Sequence, residues 1–318
     1  MFAPSMLVRV LSIFLLLHAL SSTSAALQTN GTNHSETGAS QTPSVLASSD
    51  ERPRLPPERF GSIRSVRPEG NRKVVALTFD LCETAGEIYG YDAAVVDCLR
   101  SSKVRATFFA GGKYMKTHPE KTMELMSDPL FEIGNHSWTH KNFRLLSSEE
   151  MEDQVLRTQR QYELMRRELV ETRQSGRVIG IETDRTPKAP LVFRFPFGTC
   201  TPLALNLLER LGLAAIQWSI VSGDADRHRT SAGIVRTVLA EIKPGAIVVF
   251  HANGRGHGTA EALPVLIPKL RSAGYDFLTV SELLDSGTPV AASECYEQKP
   301  GDNLRYDKMF RGGKGGSR

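Results

Sequence analysis

The spacing of apolar residues changes near residue 72. Over residues 27–71 the chain is rich in Ser, Thr, Asn, Pro and Arg and shows neither the two-residue nor the 3.6-residue apolar period, which predicts a disordered linker. Beyond it, short β-branched or aromatic runs alternate with stretches of helical spacing. The runs at 74–79, 104–110, 131–134, 191–195, 214–221, 246–250 and 276–280 read as seven strands. Met151, Val155, Tyr162, Met165 and Leu169 recur at helical spacing behind Ser147-x-x-Glu150, a capping-box pattern. Thr201 and Pro202 read as the N-cap and first turn of another helix, which Gly212 closes. Strand and helix in regular alternation predict an α/β fold, a distorted, incomplete TIM-like (β/α)7 barrel, with an open doubly wound sheet as the second choice. Residues 174–188 lack a period and read as a surface insertion, and 287–318 as a flexible tail.

At the N-terminus Arg9 precedes an apolar run that gives way to small residues ending at Ala25 and Ala26. This is the pattern of a cleaved secretory signal over 1–26, and the run is shorter than the ~20 residues that span a bilayer. The organisation expected is therefore a signal (1–26), a linker (27–71), one catalytic-size domain (72–286) and a tail (287–318), secreted or periplasmic, with no stable membrane span after cleavage. The 318 residues are 40% hydrophobic, enough for one sizeable core, and the net charge of +4 comes from mixed signs without a basic run, giving little support to nucleic-acid binding. Export would allow Cys82, Cys98, Cys200 and Cys295 to form two disulfides in any of three connectivities, or all four could stay as buried thiols.

Functional groups of parallel α/β folds gather at the carboxyl ends of strands. Five candidate strands carry polar residues there: Asp80; Asn135 and His136; Arg194; Asp224; and His251. A single histidine or aspartate at such a place is commonly a hydrogen-bonded structural residue or a helix cap. A carboxylate with imidazoles is also the donor set suited to zinc or a similar divalent ion. His136 and His140, four apart, would share one face if the chain turned helical after the strand; on spacing alone they serve equally well as a metal pair or as a solvated cap.

The stretches TFDLCE (78–83), NHSWTH (135–140), FRFPFG (193–198), WSIVSGDAD (218–226) and VVFHANG (248–254) resemble, in order, the five motifs of polysaccharide deacetylases, the NodB-like family 4 carbohydrate esterases. The resemblance spans roughly residues 72–284. It implies a metal-dependent hydrolysis of N-acetyl groups on an N-acetylated polysaccharide or oligosaccharide, peptidoglycan- or chitin-like, with zinc as the expected ion. An acetamide is a poor electrophile, so a cation is needed to polarise its carbonyl and acidify water. By the resemblance, His136 and His140 are metal ligands, Asp80 is the general base, Arg194 orients that base, the backbone N–H of Phe197 is the oxyanion donor, His251 is the general acid and Asp224 tunes it.

The sequence departs from the family pattern at Leu81, where a metal-binding aspartate is usual. Glu83 is the expected replacement; the alternatives are that Asp80 moves onto the metal or that no metal binds. Phe197 stands where tyrosine is common, and Val221 and Ala225 replace companions of the fourth motif. Trp218 reads as a packing residue rather than a sugar platform. Because the first and third motif loops should line one mouth, Cys82–Cys200 is the expected disulfide, leaving Cys98 and Cys295. Two other functions remain open: a degenerate glycan-binding module, and a metal-free hydrolase of another small amide.

Overall fold

The structure, a computed structural model, describes residues 54–174 and 186–311. In chain order the strands are β1 (Ser62–Pro68), β2 (Val74–Leu81), β3 (Ala106–Ala110), β4 (Phe131–Asn135), β5 (Val192–Phe193), β6 (Ala214–Ile216), β7 (Ile220–Val221), β8 (Ala246–His251), β9 (Asp276–Phe277) and β10 (Gly287–Ala292). The α-helices are α1 (Ala93–Ser101), α2 (Gly112–Thr117), α3 (Pro119–Ser127), α4 (Ser148–Gln174), α5 (Pro202–Arg210), α6 (Ser231–Glu241), α7 (Thr259–Ser272), α8 (Val280–Asp285) and α9 (Arg305–Arg311). The expected signal, most of the expected linker and residues 175–185 of the expected insertion lie outside the described residues.

Strands β6, β5, β4, β3, β2, β8 and β7 lie side by side in that order and run parallel. One edge of β1 joins β6 through Ser62 and Ile63 and meets β8 where Ser65 faces Ala246, so that β1, β6, β5, β4, β3, β2 and β8 close a barrel of seven strands. The other edge of β1 is covered by antiparallel β10. The α/β barrel is thus the expected class, with a different closing strand. Residues 276–280 supply only the short β9 beside the start of β2, and then Thr279, hydrogen-bonded to Glu282 in a capping box, starts α8. The seventh place belongs to β1, inside the segment expected to be disordered. Its bulge between Ile63 and Ser65 spaces the buried Ile63 and Val66 three apart, so no two-residue alternation appears. The tail is likewise structured through β10 and α9. Small side chains and Pro289, which suits an edge strand, concealed β10.

The closure depends on a close approach. Gly245 has φ +79°, its carbonyl accepts from Val66 N–H, and a Cβ there would lie 1.8 Å from the Val66 carbonyl oxygen. Gly245→Ala is expected to cost about 2–4 kcal/mol from the left-handed backbone and the clash together. The midpoint of urea unfolding reads this directly, and an unchanged midpoint would show that β1 is not clamped at this point.

Along β2 the two-residue period divides two cores. Val75, Leu77, Phe79 and Leu81 pack outward with the helices, whereas Val74 and Ala76 join Phe109, Ile216, Ile247 and Val249 inside the barrel. Phe79 stacks between Phe108 and Phe250 at centroid distances of 5.3 and 5.4 Å. Each such buried ring contributes about 1.5–3 kcal/mol. The same alternation directs Thr78 and Asp80 to the inner side, at the carboxyl end of the strands.

Candidate metal centre and active site

Asp80 is buried near the end of β2, and its Oδ1 accepts from Nη1 of Arg194 at 2.8 Å. Arg194, fully buried just after β5, lies 4.0 Å from the Phe109 ring centroid and donates its Nη2 to the Gln217 carbonyl at 3.2 Å. Burial by itself would raise the Asp80 pKa. The guanidinium and the imidazoles of His136 and His251 outweigh it and hold the carboxyl below its ordinary value. Asp80 is therefore an ionised acceptor, anchored through one oxygen, with Oδ2 3.6 Å from His136 Nε2.

His136 follows β4 directly. Its Nδ1 lies 2.9 Å from the Arg194 carbonyl oxygen. A carbonyl only accepts, so Nδ1 carries the hydrogen and the lone pair of the neutral ring sits on Nε2. That Nε2 is buried and has no hydrogen-bond partner. Burial holds the pKa of His136 below its ordinary value and that of His140 well below, so both rings are neutral, the form that binds metals.

The chain after His136 does not turn helical, the condition under which the two histidines would share a helix face. Ser137 and His140 adopt positive φ of 63° and 54°. Asn135 Oδ1 accepts from Ser137 N–H at 2.9 Å, and Gln154 Oε1 of α4 accepts from the N–H groups of Trp138 and Thr139 at 3.1 and 2.9 Å. These side-chain acceptors replace a helical ladder and bring the rings of His136 and His140 to 5.0 Å between centroids.

Glu83 is not brought to these histidines. Its Oε1 accepts from Tyr89 N–H at 3.0 Å and Thr117 Oγ1 at 2.9 Å, and its carboxylate pairs with Lys113 at 3.4 Å and His118 at 3.5 Å. The expectation that it replaces the missing aspartate is corrected: the side chain stabilises the loop after β2 against α2. Leu81 is in the outer core. Cys82, one residue on, gathers with His136 and His140, the one atom that each offers lying within 4.8 Å of the others. The expected Cys82–Cys200 disulfide is also corrected, since Cys200 bonds Cys295 and the thiols of Cys82 and Cys98 are free. Burial, with the nearby Asp80 charge, pushes the Cys82 thiol up to about 12.

These side chains fit a divalent cation. A tetrahedral zinc site has ligand-to-ligand edges of roughly 3.3–3.6 Å, within small rotamer adjustments of the observed group, and a cation would satisfy the orphaned Nε2.

His251 ends β8 and is the register partner of Asp80 on β2. Its Nδ1 lies 2.9 Å from Asp224 Oδ1, while Asp224 Oδ2 accepts from His251 N–H at 2.7 Å and Thr259 Oγ1 at 2.7 Å. Burial alone would lower the imidazole pKa, but the Asp224 carboxylate prevails and raises it. Phe197 occupies a left-handed turn with φ 57°, closed by the amides of Gly198 and Thr199 donating to Phe195 and Pro196. Its ring lies 4.3 Å from that of His140 and 4.9 Å from those of Tyr306 and Phe310, between centroids.

The tail therefore forms part of the rim. Arg144 pairs with Asp307 of α9 at 2.9 Å, Asn303 donates to the carbonyl of Gly198, and the disulfide ties the residue after the Phe197 turn to the segment beyond β10. Trp218 is buried, with Nε1 donating to the Glu297 carbonyl at 3.1 Å, a packing role. Sequence reasoning missed Cys82 as a candidate ligand and Gln154 and Thr259 as supports. Only the alternation through Asp80, Leu81 and Cys82 carried a signal for the first.

The profile described as polysaccharide deacetylase matches residues 67–216. A peptidoglycan-N-acetylglucosamine deacetylase of Listeria monocytogenes is 30% identical over 211 residues, 66% of this chain, and the match spans only 39% of that longer protein. A protein of the same name from Bacillus cereus is 30% identical over 216 residues, covering 67% of this chain and 89% of the relative. Among solved structures, a family 4 carbohydrate esterase pseudoenzyme from Bacillus anthracis superposes with a TM-score of 0.57 at 28% identity, over 71% of this chain and 69% of that one. Five motifs in order, carried on the ends of barrel strands, and a relative matched over nine-tenths of its length have one common explanation: the chain belongs to the polysaccharide deacetylase family.

Proposed function

We propose that the protein removes N-acetyl groups from an exported N-acetylated glycan, with peptidoglycan favoured over chitin-like oligomers by the names of its relatives. The observation that carries this reading is the pairing, in register on adjacent strands, of a carboxylate held ionised by Arg194 with an imidazole whose pKa is raised by Asp224. A base and an acid with environments pushed in opposite directions are what amide hydrolysis requires and what glycan binding does not.

His136 and His140 would hold the ion, zinc being the expected one. When bound, it supplies Lewis acidity that polarises the acetamide carbonyl and acidifies the attacking water. Asp80 accepts the proton of that water. The guanidinium of Arg194 fixes one carboxylate oxygen, so the other is the one available to receive it. The Phe197 N–H, outside the bonds that close its turn, donates to the oxygen on which negative charge develops. His251 donates its Nε2 proton to the amine nitrogen as the C–N bond breaks, and Asp224, bonded to Nδ1, raises the imidazole pKa so that the ring stays protonated until then.

Removing Asp224 tests the acid. In Asp224→Asn the imidazole pKa falls, and because a general acid must be protonated, the alkaline limb of the kcat profile moves to lower pH. Above that limb the loss approaches the about 10²–10⁴-fold that a positioned acid contributes. A limb that stays in place would remove His251 from this role.

The signal-like N-terminus and the Cys200–Cys295 disulfide support action in a secreted or periplasmic space, where such bonds persist. A second reading, glycan binding without catalysis, is favoured by Leu81 and by the pseudoenzyme among the structural neighbours. Acetate release from peptidoglycan fragments and N-acetylglucosamine oligomers separates the readings. Release that stops with a chelator and returns with zinc is expected. Retention of glycan without acetate supports the binding module, and release that persists after all metal is stripped supports a metal-free amidase.

A further inference from the structure

We infer that Cys82 is the third protein ligand of the metal, making a Cys-His-His centre in place of one that would use a carboxylate at position 81; this rests on the cation-dependent reading above. Four observations carry it. The period of β2 turns Asp80 inward and Leu81 outward into the helix-facing core, so the next side chain on the inner side is that of Cys82. Its sulfur and one nitrogen each of His136 and His140 lie within 4.8 Å of one another. His136 Nε2, buried and without a hydrogen-bond partner, carries its lone pair there because Nδ1 is fixed on the Arg194 carbonyl. Of the two carboxylates near this point in the sequence, Glu83 is engaged with Lys113, Thr117 and His118, and Asp80 is anchored through Oδ1 by Arg194, which leaves Oδ2 for the proton of the attacking water.

The surroundings of the sulfur suit a ligand. Asn253 Nδ2 donates to the Cys82 carbonyl at 2.9 Å and approaches Sγ at 3.4 Å, an outer hydrogen bond of the kind that orients metal-bound groups. One soft thiolate with two imidazoles, leaving a fourth position open, is a donor set for zinc rather than for magnesium or calcium, which take oxygen. Exchange of carboxylate for thiolate thus narrows the ions that the centre accepts.

Cobalt(II) is the probe, since a thiolate ligand gives it a sulfur-to-metal charge-transfer band in the near ultraviolet that oxygen and nitrogen donors lack. Full-length protein, stripped of metal and checked for folding by circular dichroism, is titrated with cobalt and then with zinc. The band is expected in the parent and in Cys98→Ser, which changes the other free thiol. It is expected to vanish in Cys82→Ser, with zinc held at least about tenfold more weakly, the low end of the loss seen when only a supporting residue is removed. Cys82→Asp restores an ionisable ligand and is expected to recover zinc without the band. Cobalt bound to the parent with no sulfur band, or Cys82→Ser and Cys82→Asp both matching the parent in band and zinc affinity, overturns the inference even if acetate is released. A sulfur band on a protein that releases no acetate overturns the deacetylase reading and leaves the ligand assignment standing.

Discussion

Asp80→Asn lowers kcat for acetate release by about 10²–10⁴-fold, the contribution of a positioned general base, while the metal content stays at the parent level. Asparagine keeps the shape of the side chain and its hydrogen bond to Arg194 but cannot take a proton. The same change removes the negative partner of a guanidinium that is fully buried, at an expected cost of about 3–5 kcal/mol in unfolding free energy. Both losses are measurable on one preparation, by steady-state kinetics and by urea unfolding. A variant with kcat within a few-fold of the parent would transfer the base to another group.

Arg194→Met produces the mirror image. It leaves the Asp80 carboxylate buried beside a thioether, again at about 3–5 kcal/mol. The double variant Asp80→Asn/Arg194→Met is expected to recover part of that loss, because neither charge then remains unpaired. The pH dependence has a definite sign. Asp80 titrates below its unfolded-state value of about 3.9, so its stabilising contribution is complete above that value and disappears as pH falls through the native pKa. Without Arg194 the carboxyl pKa rises, acid unfolding begins at higher pH, and the acidic limb of the kcat profile moves the same way. An acidic limb that does not move in Arg194→Met would mean that a group other than Asp80 is being deprotonated.

How much of this could be read beforehand depends on whether the chemistry was local. Strands β2, β3 and β8 were legible because both faces are covered, one by helices and the other by the barrel interior, so their sequences are almost continuously apolar. β1 was illegible because a bulge breaks its alternation, and β10 because an edge strand over another strand needs little apolar surface. Asp80, Arg194, Asp224 and His251 were found from their places at strand ends. Their pairing across 114 and 27 residues is a property of the closed barrel. Glu83 misled because reach was considered without competition: Lys113 and Thr117 claim its carboxylate first. The Cys200 partner could not be found from loop positions, since it lies 95 positions along the chain and the path of the tail decides it.

The tail over β1 has a practical corollary. Ending the protein before Gly287, with β1 kept, would strip six residues from the outside of β1 and bare a row of main-chain donors and acceptors. It would also leave Cys200 without its partner and the Phe197 ring open to water. Such a fragment presents a ready template for intermolecular strand addition, and its failure in solution would reflect a missing cover rather than a faulty core.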